Sequence, residues 1–179
     1  PQDFSAVEQR FSVELAGVLE PAREVGGDLY SAFAGVAGRL VVLIGDVSGK
    51  VIPASLFMVG ASSLARLLGR DIAEPERILA RLNDELSADN PSGMFVTMLC
   101  AVYDPVSGHI AIANAAQNRP VLLRQGAAAC WAVESLGTAL GFEPELSFER
   151  TDLILQPGDS LVLYTDGVNE AFNAAVECY

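Results

Sequence analysis

The sequence predicts an α+β fold. Strand-like runs open the chain, two amphipathic helical patterns occupy its middle, and strands joined by turn residues fill its second half. A strict strand–helix–strand alternation, which would indicate a parallel sheet, is not seen.

In chain order, residues 11–22 (FSVELAGVLEPA) alternate loosely and read as a strand. The paired glycines Gly26 and Gly27 then make a turn that leads into Asp28. Residues 39–45 (RLVVLIG) are a dense β-branched run of the kind that forms a buried strand, and Asp46 follows at once. From Pro53 to Gly69 the positions Leu56, Gly60, Leu64, Leu67 and Leu68 recur at helical spacing, with Pro53 in the first turn where its missing N–H is tolerated. A second helix is predicted over 75–86, with Ile78, Leu79, Leu82 and Leu86 on one face. Residues 95–103 and 109–114 read as a hairpin around the turn sequence DPVSG. Residues 120–124 with 128–133 form a second predicted hairpin. TDLILQ and SLVLYT, joined by Pro157-Gly158-Asp159, form a third.

The chain of 179 residues is the size of one ordinary domain, so residues 1–179 are read as a single unit with no linker. Half of its residues are hydrophobic, yet no apolar run reaches the roughly 18–20 residues that span a bilayer. A net charge of −12 would repel phosphates, which argues against nucleic acid and anionic membrane surfaces as partners. The three cysteines, Cys100, Cys130 and Cys178, form no CxxC pair; Cys100 lies in an apolar run as a buried free thiol would. Together with the lack of a secretory pattern this points to a reducing, cytoplasmic setting.

Three acids stand out by position. Asp28 follows two glycines, Asp46 ends an apolar strand and Asp166 ends another, with Gly167 behind it. Carboxylates at strand ends, with glycines permitting close backbone approach, suit hard cations such as Mg²⁺ or Mn²⁺. In two-metal hydrolysis such ions sit about 3.5–4 Å apart and activate a shared water. Any one of these acids alone reads more readily as turn chemistry than as a ligand, and only the three together make a metal site an equal reading. Asp104 in DPVSG and Asp159 in PGDS read only as turn residues. GDVSGK is not a phosphate-binding P-loop: three residues rather than four separate Gly45 from Gly49, and Val51 stands where Ser or Thr would hold Mg²⁺. His109, the single histidine, opens a strand after a Ser-Gly turn, and no GxSxG elbow accompanies it, so a surface role suits it better than catalysis.

Four blocks, 21–30, 40–58, 94–123 and 157–173, resemble in order the SpoIIE/RsbU branch of bacterial PPM-type (type 2C-like) serine/threonine phosphatases. The resemblance implies an α-β-β-α sandwich of two antiparallel sheets flanked by helix pairs. It also implies two Mn²⁺ or Mg²⁺ ions at one end: Asp46 bridging them, the Val47 carbonyl on one, Asp166 on the other, and Asp28 bound directly or through water. Metal-activated water would then hydrolyse phosphoserine or phosphothreonine, with a phosphorylated STAS-domain protein of a partner-switching pathway as the expected substrate. Homodimerisation through an N-terminal region is a further family trait.

The sequence departs from the family pattern at three points. The closing Asp-Asp-X-Thr segment, which carries a further acid, has no counterpart before Tyr179, so the C-terminal part of the fold is expected to be missing. Val51 replaces a usual glycine, and NAAQN (114–118) carries Gln117 where relatives have histidine. Lys50 and Arg23 are cations within reach in sequence of a bound phosphate, although Lys50 reads equally well as a solvated loop residue. A phosphatase-fold module that binds a regulatory partner without catalysis is the alternative function; a nucleotide hydrolase rests on GDVSGK alone.

Overall fold

The computed structural model describes residues 3–19, 27–49, 52–88 and 90–169. Two antiparallel sheets form two layers. The first holds β1 (Leu29–Ala34), β2 (Leu40–Val47), β3 (Val96–Tyr103), β4 (His109–Ala115) and β7 (Arg150–Ile154), in that spatial order. The second orders β6 (Cys130–Trp131), β5 (Val121–Leu123) and β8 (Ser160–Val162). Helix α1 (Ser5–Phe11) precedes β1, α2 (Ile52–Leu68) and α3 (Pro75–Ala88) lie between β2 and β3, and α4 (Asp166–Asn169) follows β8. Among the described residues no helix is long and apolar enough to cross a membrane.

The period of two along each strand divides the core. Val41, Leu43 and Val47 of β2, Met98, Cys100 and Val102 of β3, and Ala113 and Ala115 of β4 pack against the helices. Val42 and Ile44, Leu99 and Ala101, and Ile110 and Ile112 face the second sheet, meeting Leu122, Leu161 and Val133. Both faces of the first sheet are therefore covered, which is why its strands are apolar almost throughout. The second sheet has an exposed outer face, and β8 alternates accordingly: Ser160 and Val162 point out while Leu161 joins the core.

Helix α3 buries the face its spacing predicts: Ile78, Leu79, Leu82 and Leu86. The buried Asn83 is held by its side chain, which donates to the Glu143 carbonyl at 2.8 Å and accepts from the Gly141 N–H at 3.0 Å. Helix α2 differs from expectation. Leu56 and Leu67 are exposed, and the helix meets the sheet through Ala54, Ala61 and Ala65, flanked by Phe57, Met58, Leu64 and Leu68. Small residues let the helix axis lie close to the sheet, so the alanine stripe wins over the leucine stripe. Arg66 reaches across the same interface to donate to Ser31 Oγ at 2.7 Å and lies over the Phe33 ring.

Three further expectations are corrected. Residues 12–19 of the predicted 11–22 strand join no sheet. Ser12, with φ of 52°, turns the chain out of α1, and side chains take up backbone groups that a ladder would need. The Leu15 N–H donates to Glu8 at 2.7 Å, and the Tyr30 hydroxyl donates to the Gly17 carbonyl at 3.4 Å. Residues 20–22 lie outside the described residues. Strand β2 runs through Asp46 to Val47 instead of stopping at Gly45. Finally, β7 and β8 do not form a hairpin. β7 pairs with β4 and β8 with β5, so the turn at Pro157-Gly158 crosses from one layer to the other. Asp159 shapes that turn by accepting the Gln156 N–H at 2.9 Å, and Asp104 accepts the Val106 N–H at 2.9 Å in the β3–β4 turn.

The alanine stripe has a measurable consequence. Ala61→Leu should destabilise the fold by about 1–3 kcal/mol through overpacking, whereas Leu56→Ala on the exposed face should stay within roughly 0.5 kcal/mol of the parent. Urea unfolding of both variants checks which face is buried.

Candidate metal centre

The inward face of the first sheet changes character at one end. Along β2, Val42 and Ile44 face the second sheet, and Asp46 continues the same face two residues on. Its register partner on β3 is Thr97, and Ile44 and Leu99 stand in line with Asn114 of β4. The apolar space between the layers thus ends in polar side chains. Asp28, just before β1, and Asp166, the first residue of α4, reach this same end. One carboxylate oxygen of each acid lies within 4.8 Å of the others; Asp28 and Asp46 are half-buried and Asp166 is exposed.

Three carboxylates at this spacing oppose one another's ionisation. Burial raises the Asp46 pKa from the ordinary 3.8 to about 6, and the charges of Asp28 and Asp166 add to the effect. Burial also pushes Asp28 up, seconded by Asp166, while a hydrogen bond from Thr165 works in the opposite direction. Among the described residues no cation offsets this cluster: the ion pairs found there all involve other acids.

Gly27 shows how tightly the site is drawn. A Cβ there would come within 2.5 Å of Asp46 Oδ1 and 2.8 Å of the Val47 carbonyl oxygen, so both oxygens border one small space. The Val47 N–H donates to the Gly27 carbonyl at 3.3 Å. Beyond Val47 the chain is pinned to β3 twice: the Ser48 N–H donates to the Phe95 carbonyl, and the Phe95 N–H donates to Ser48 Oγ, both at 2.8 Å. An all-oxygen set of three carboxylates with a backbone carbonyl beside them, under mutual repulsion, fits a hard divalent cation such as Mg²⁺ or Mn²⁺.

A polar layer lies behind the acids. The Thr97 hydroxyl is 3.4 Å from the Asp46 carbonyl oxygen and 3.1 Å from Gln117 Oε1. Gln117 is itself held by Asn114: its N–H donates to Asn114 Oδ1 and its carbonyl accepts from Asn114 Nδ2, each at 2.8 Å. Sequence inspection misses Thr97. The available signal was a threonine on the inward face of a mainly apolar strand, two positions before Leu99.

The other sequence candidates lie elsewhere. His109 opens β4 at one end of the first sheet, with Nε2 2.7 Å from Asp152 Oδ1, and Arg150 binds the same carboxylate. Cys100 is buried in β3 with a thiol pKa pushed upward by burial, and Cys130 is exposed. Arg23, Gly26, Lys50, Val51 and Cys178 lie outside the described residues.

Comparison with known proteins gives the chain its relatives. The SpoIIE family, described as stage II sporulation protein E, matches residues 37–179. Phosphoserine phosphatase RsbU of Bacillus subtilis is 28% identical over 164 residues, covering 92% of this chain and 49% of the relative. Protein IcfG of Synechocystis is 28% identical over 193 residues, covering 93% and 30%. The chain thus spans half or less of the length of these relatives. Among solved structures, the RsbU and RsbW domains of a Mycobacterium tuberculosis protein superpose with a TM-score of 0.73 at 25% identity, covering 84% of this chain and 42% of that one.

Two outcomes are expected. The folded, metal-free protein holds a proton on Asp46 between pH 3.8 and about 6 that the unfolded chain lacks, so this group removes stability as pH rises through that window. A bound cation reverses the penalty. The rise in Tm on adding Mn²⁺ should therefore be largest above pH 6 and shrink toward pH 5, as read by differential scanning fluorimetry. Gly27→Ala should displace Asp46 and Val47 and weaken Mn²⁺ binding on the order of tenfold or more, measured by calorimetry.

Proposed function

The chain belongs to the SpoIIE family, in the RsbU/SpoIIE branch of PP2C-type phosphatases, and from that premise we propose that it is a metal-dependent protein serine/threonine phosphatase. The observation that carries this reading is the meeting of Asp28, Asp46 and Asp166 at one end of the sandwich. In the proposal Asp46, Asp28, Asp166 and the Val47 carbonyl hold two Mn²⁺ or Mg²⁺ ions. When bound, these ions supply concentrated positive charge and an acidified water for hydrolysis of a phosphate monoester.

The chain's own contribution is placement. The β2–β3 register sets Asp46 on the inward face, Gly27 leaves room for its carboxylate, and the Ser48–Phe95 bonds tie the end of β2 to the start of β3. The substrate proposed is a phosphoserine or phosphothreonine protein, most specifically a phosphorylated STAS-domain partner in a cytoplasmic partner-switching pathway. Support for a phosphoprotein substrate comes from the RsbU relative, which carries the name phosphoserine phosphatase. The rival reading, a phosphatase fold that binds without catalysis, is favoured by one feature, Gln117 in place of the family's usual histidine.

Asp46→Asn, which keeps the side chain's size, separates the two. It should lower Mn²⁺-dependent phosphate release from a phosphorylated STAS protein by on the order of a hundredfold or more. Turnover equal to that of the parent would remove the proposed mechanism. Absence of any release by the parent, from this protein or from p-nitrophenyl phosphate, would favour the binding module.

A further inference from the structure

The acids reach their cluster from different layers. Asp46 lies near the end of β2 in the first sheet, whereas Asp166 opens α4, which follows β8 of the second. Their carboxylates repel one another, and α4 is a single turn of four residues, too short to hold a direction by itself. A contact between the layers is needed to fix where Asp166 stands relative to Asp46.

Such a contact runs through Gln117, which is 3% exposed. The Asn118 N–H can only donate, so the Gln117 atom 3.2 Å from it is the oxygen, Oε1. The Thr97 hydroxyl, 3.1 Å from the same oxygen, donates to it as well. An amide oxygen has two lone pairs and takes both donors, whereas a histidine nitrogen has one and could take only one of them. On one side this junction leads to β2: Thr97 is the register partner of Asp46, and its hydroxyl lies 3.4 Å from the Asp46 carbonyl oxygen. On the other side, Asn118 Nδ2 donates to Asn169 Oδ1 at 3.0 Å. Asn169 follows Asp166 by three residues and so shares its side of the α4 turn. The junction is anchored at its base, because Asn114 at the end of β4 bonds both the N–H and the carbonyl of Gln117 at 2.8 Å.

We infer that Thr97 and Gln117 are positioning residues of the acid cluster: the hydrogen bonds from Thr97 through Gln117 and Asn118 to Asn169 brace α4 against β2 and set the distance between Asp46 and Asp166. In this role neither residue touches an ion or a substrate. The inference deepens the proposed function and rests on it for the ion that the acids hold.

Thr97→Val, which keeps the size and removes the hydroxyl, should weaken Mn²⁺ binding on the order of tenfold by calorimetry, and Thr97→Ser should restore the parent affinity. Asn118→Ala should weaken binding in the parent but add nothing in an Asp166→Asn background, because it acts through Asp166. With p-nitrophenyl phosphate, Thr97→Val should raise the Mn²⁺ concentration for half-activation by a similar factor, while kcat at saturating Mn²⁺ stays within about threefold of the parent. A loss of fold would instead lower kcat at every Mn²⁺ concentration. Parent-like Mn²⁺ affinity in Thr97→Val, an equal loss in Thr97→Ser, or an undiminished Asn118→Ala effect without the Asp166 carboxylate would overturn the inference. If the parent and variants bind Mn²⁺ in the expected pattern yet the parent releases no phosphate from p-nitrophenyl phosphate or a phosphorylated STAS protein, the brace stands and the phosphatase assignment falls. Phosphate release that Thr97→Val leaves unchanged at every Mn²⁺ concentration keeps the assignment and removes the brace. A parent that binds no Mn²⁺ overturns both.

Discussion

The antiparallel register of β2 on β3 is the constraint on which both the core and the acid cluster depend. Pairing Leu40 with Tyr103 through to Val47 with Val96 sends alternate residues to the helices and to the second sheet. A slip by one residue would exchange the two faces along the whole strand. Leu43 would then meet the second sheet, and Asp46 would turn toward α2, away from Asp28 and Asp166. The burial of Leu43, Met98 and Leu99, all fully enclosed, therefore protects the placement of a carboxylate that contributes nothing to the core itself.

The acid cluster is the opposite kind of feature, since it stores repulsion. Asp46 is half-buried, faces two other carboxylates and has its pKa raised accordingly. The fold tolerates this because the cluster lies at the rim of the layers, where Asp166 is exposed and the apolar rows have already ended. Rigid elements converge there: the end of β2, the start of β1 and the start of α4. Loops alone would relax apart under the same repulsion. A cation at this position replaces repulsion with attraction, which couples metal binding to the stability of the sandwich rim.

Much of this was legible from the residues, and the failures have physical causes. The three acids were recognisable one by one, because each stands at a strand or helix boundary beside glycine, but their meeting is a tertiary fact that no local pattern contains. The α3 face was readable because leucine and isoleucine dominate it, with Asn83 the one polar residue buried among them. In α2 two stripes share the helical period, and hydrophobicity ranks Leu56 and Leu67 above Ala54, Ala61 and Ala65; close packing on the sheet reverses that order. The turn at Pro157-Gly158 has the same composition whether the chain doubles back within a sheet or crosses between layers, so the β7–β8 hairpin was a natural misreading. The 11–22 segment has strand-like alternation, but its backbone is engaged by Glu8 and Tyr30 instead of a neighbouring strand. Gln117 drew notice as a departure from a family pattern; that it shares the Thr97 hydroxyl with the Asp46 main-chain carbonyl became visible only in three dimensions.

The crossing at Pro157-Gly158 also bears on the order in which the molecule is built. β7 must find β4 in one layer, and only a few residues later β8 must find β5 in the other. Both layers therefore have to be in place for Asp166 to stand beside Asp28 and Asp46. The third acid is thus positioned by the joining of the two layers. A partly folded chain, with its layers unjoined, would carry Asp46 and Asp28 without the third carboxylate, and so would hold divalent ions poorly. In the proposed metal-binding reading, affinity for the ion thus reports that the two layers have joined.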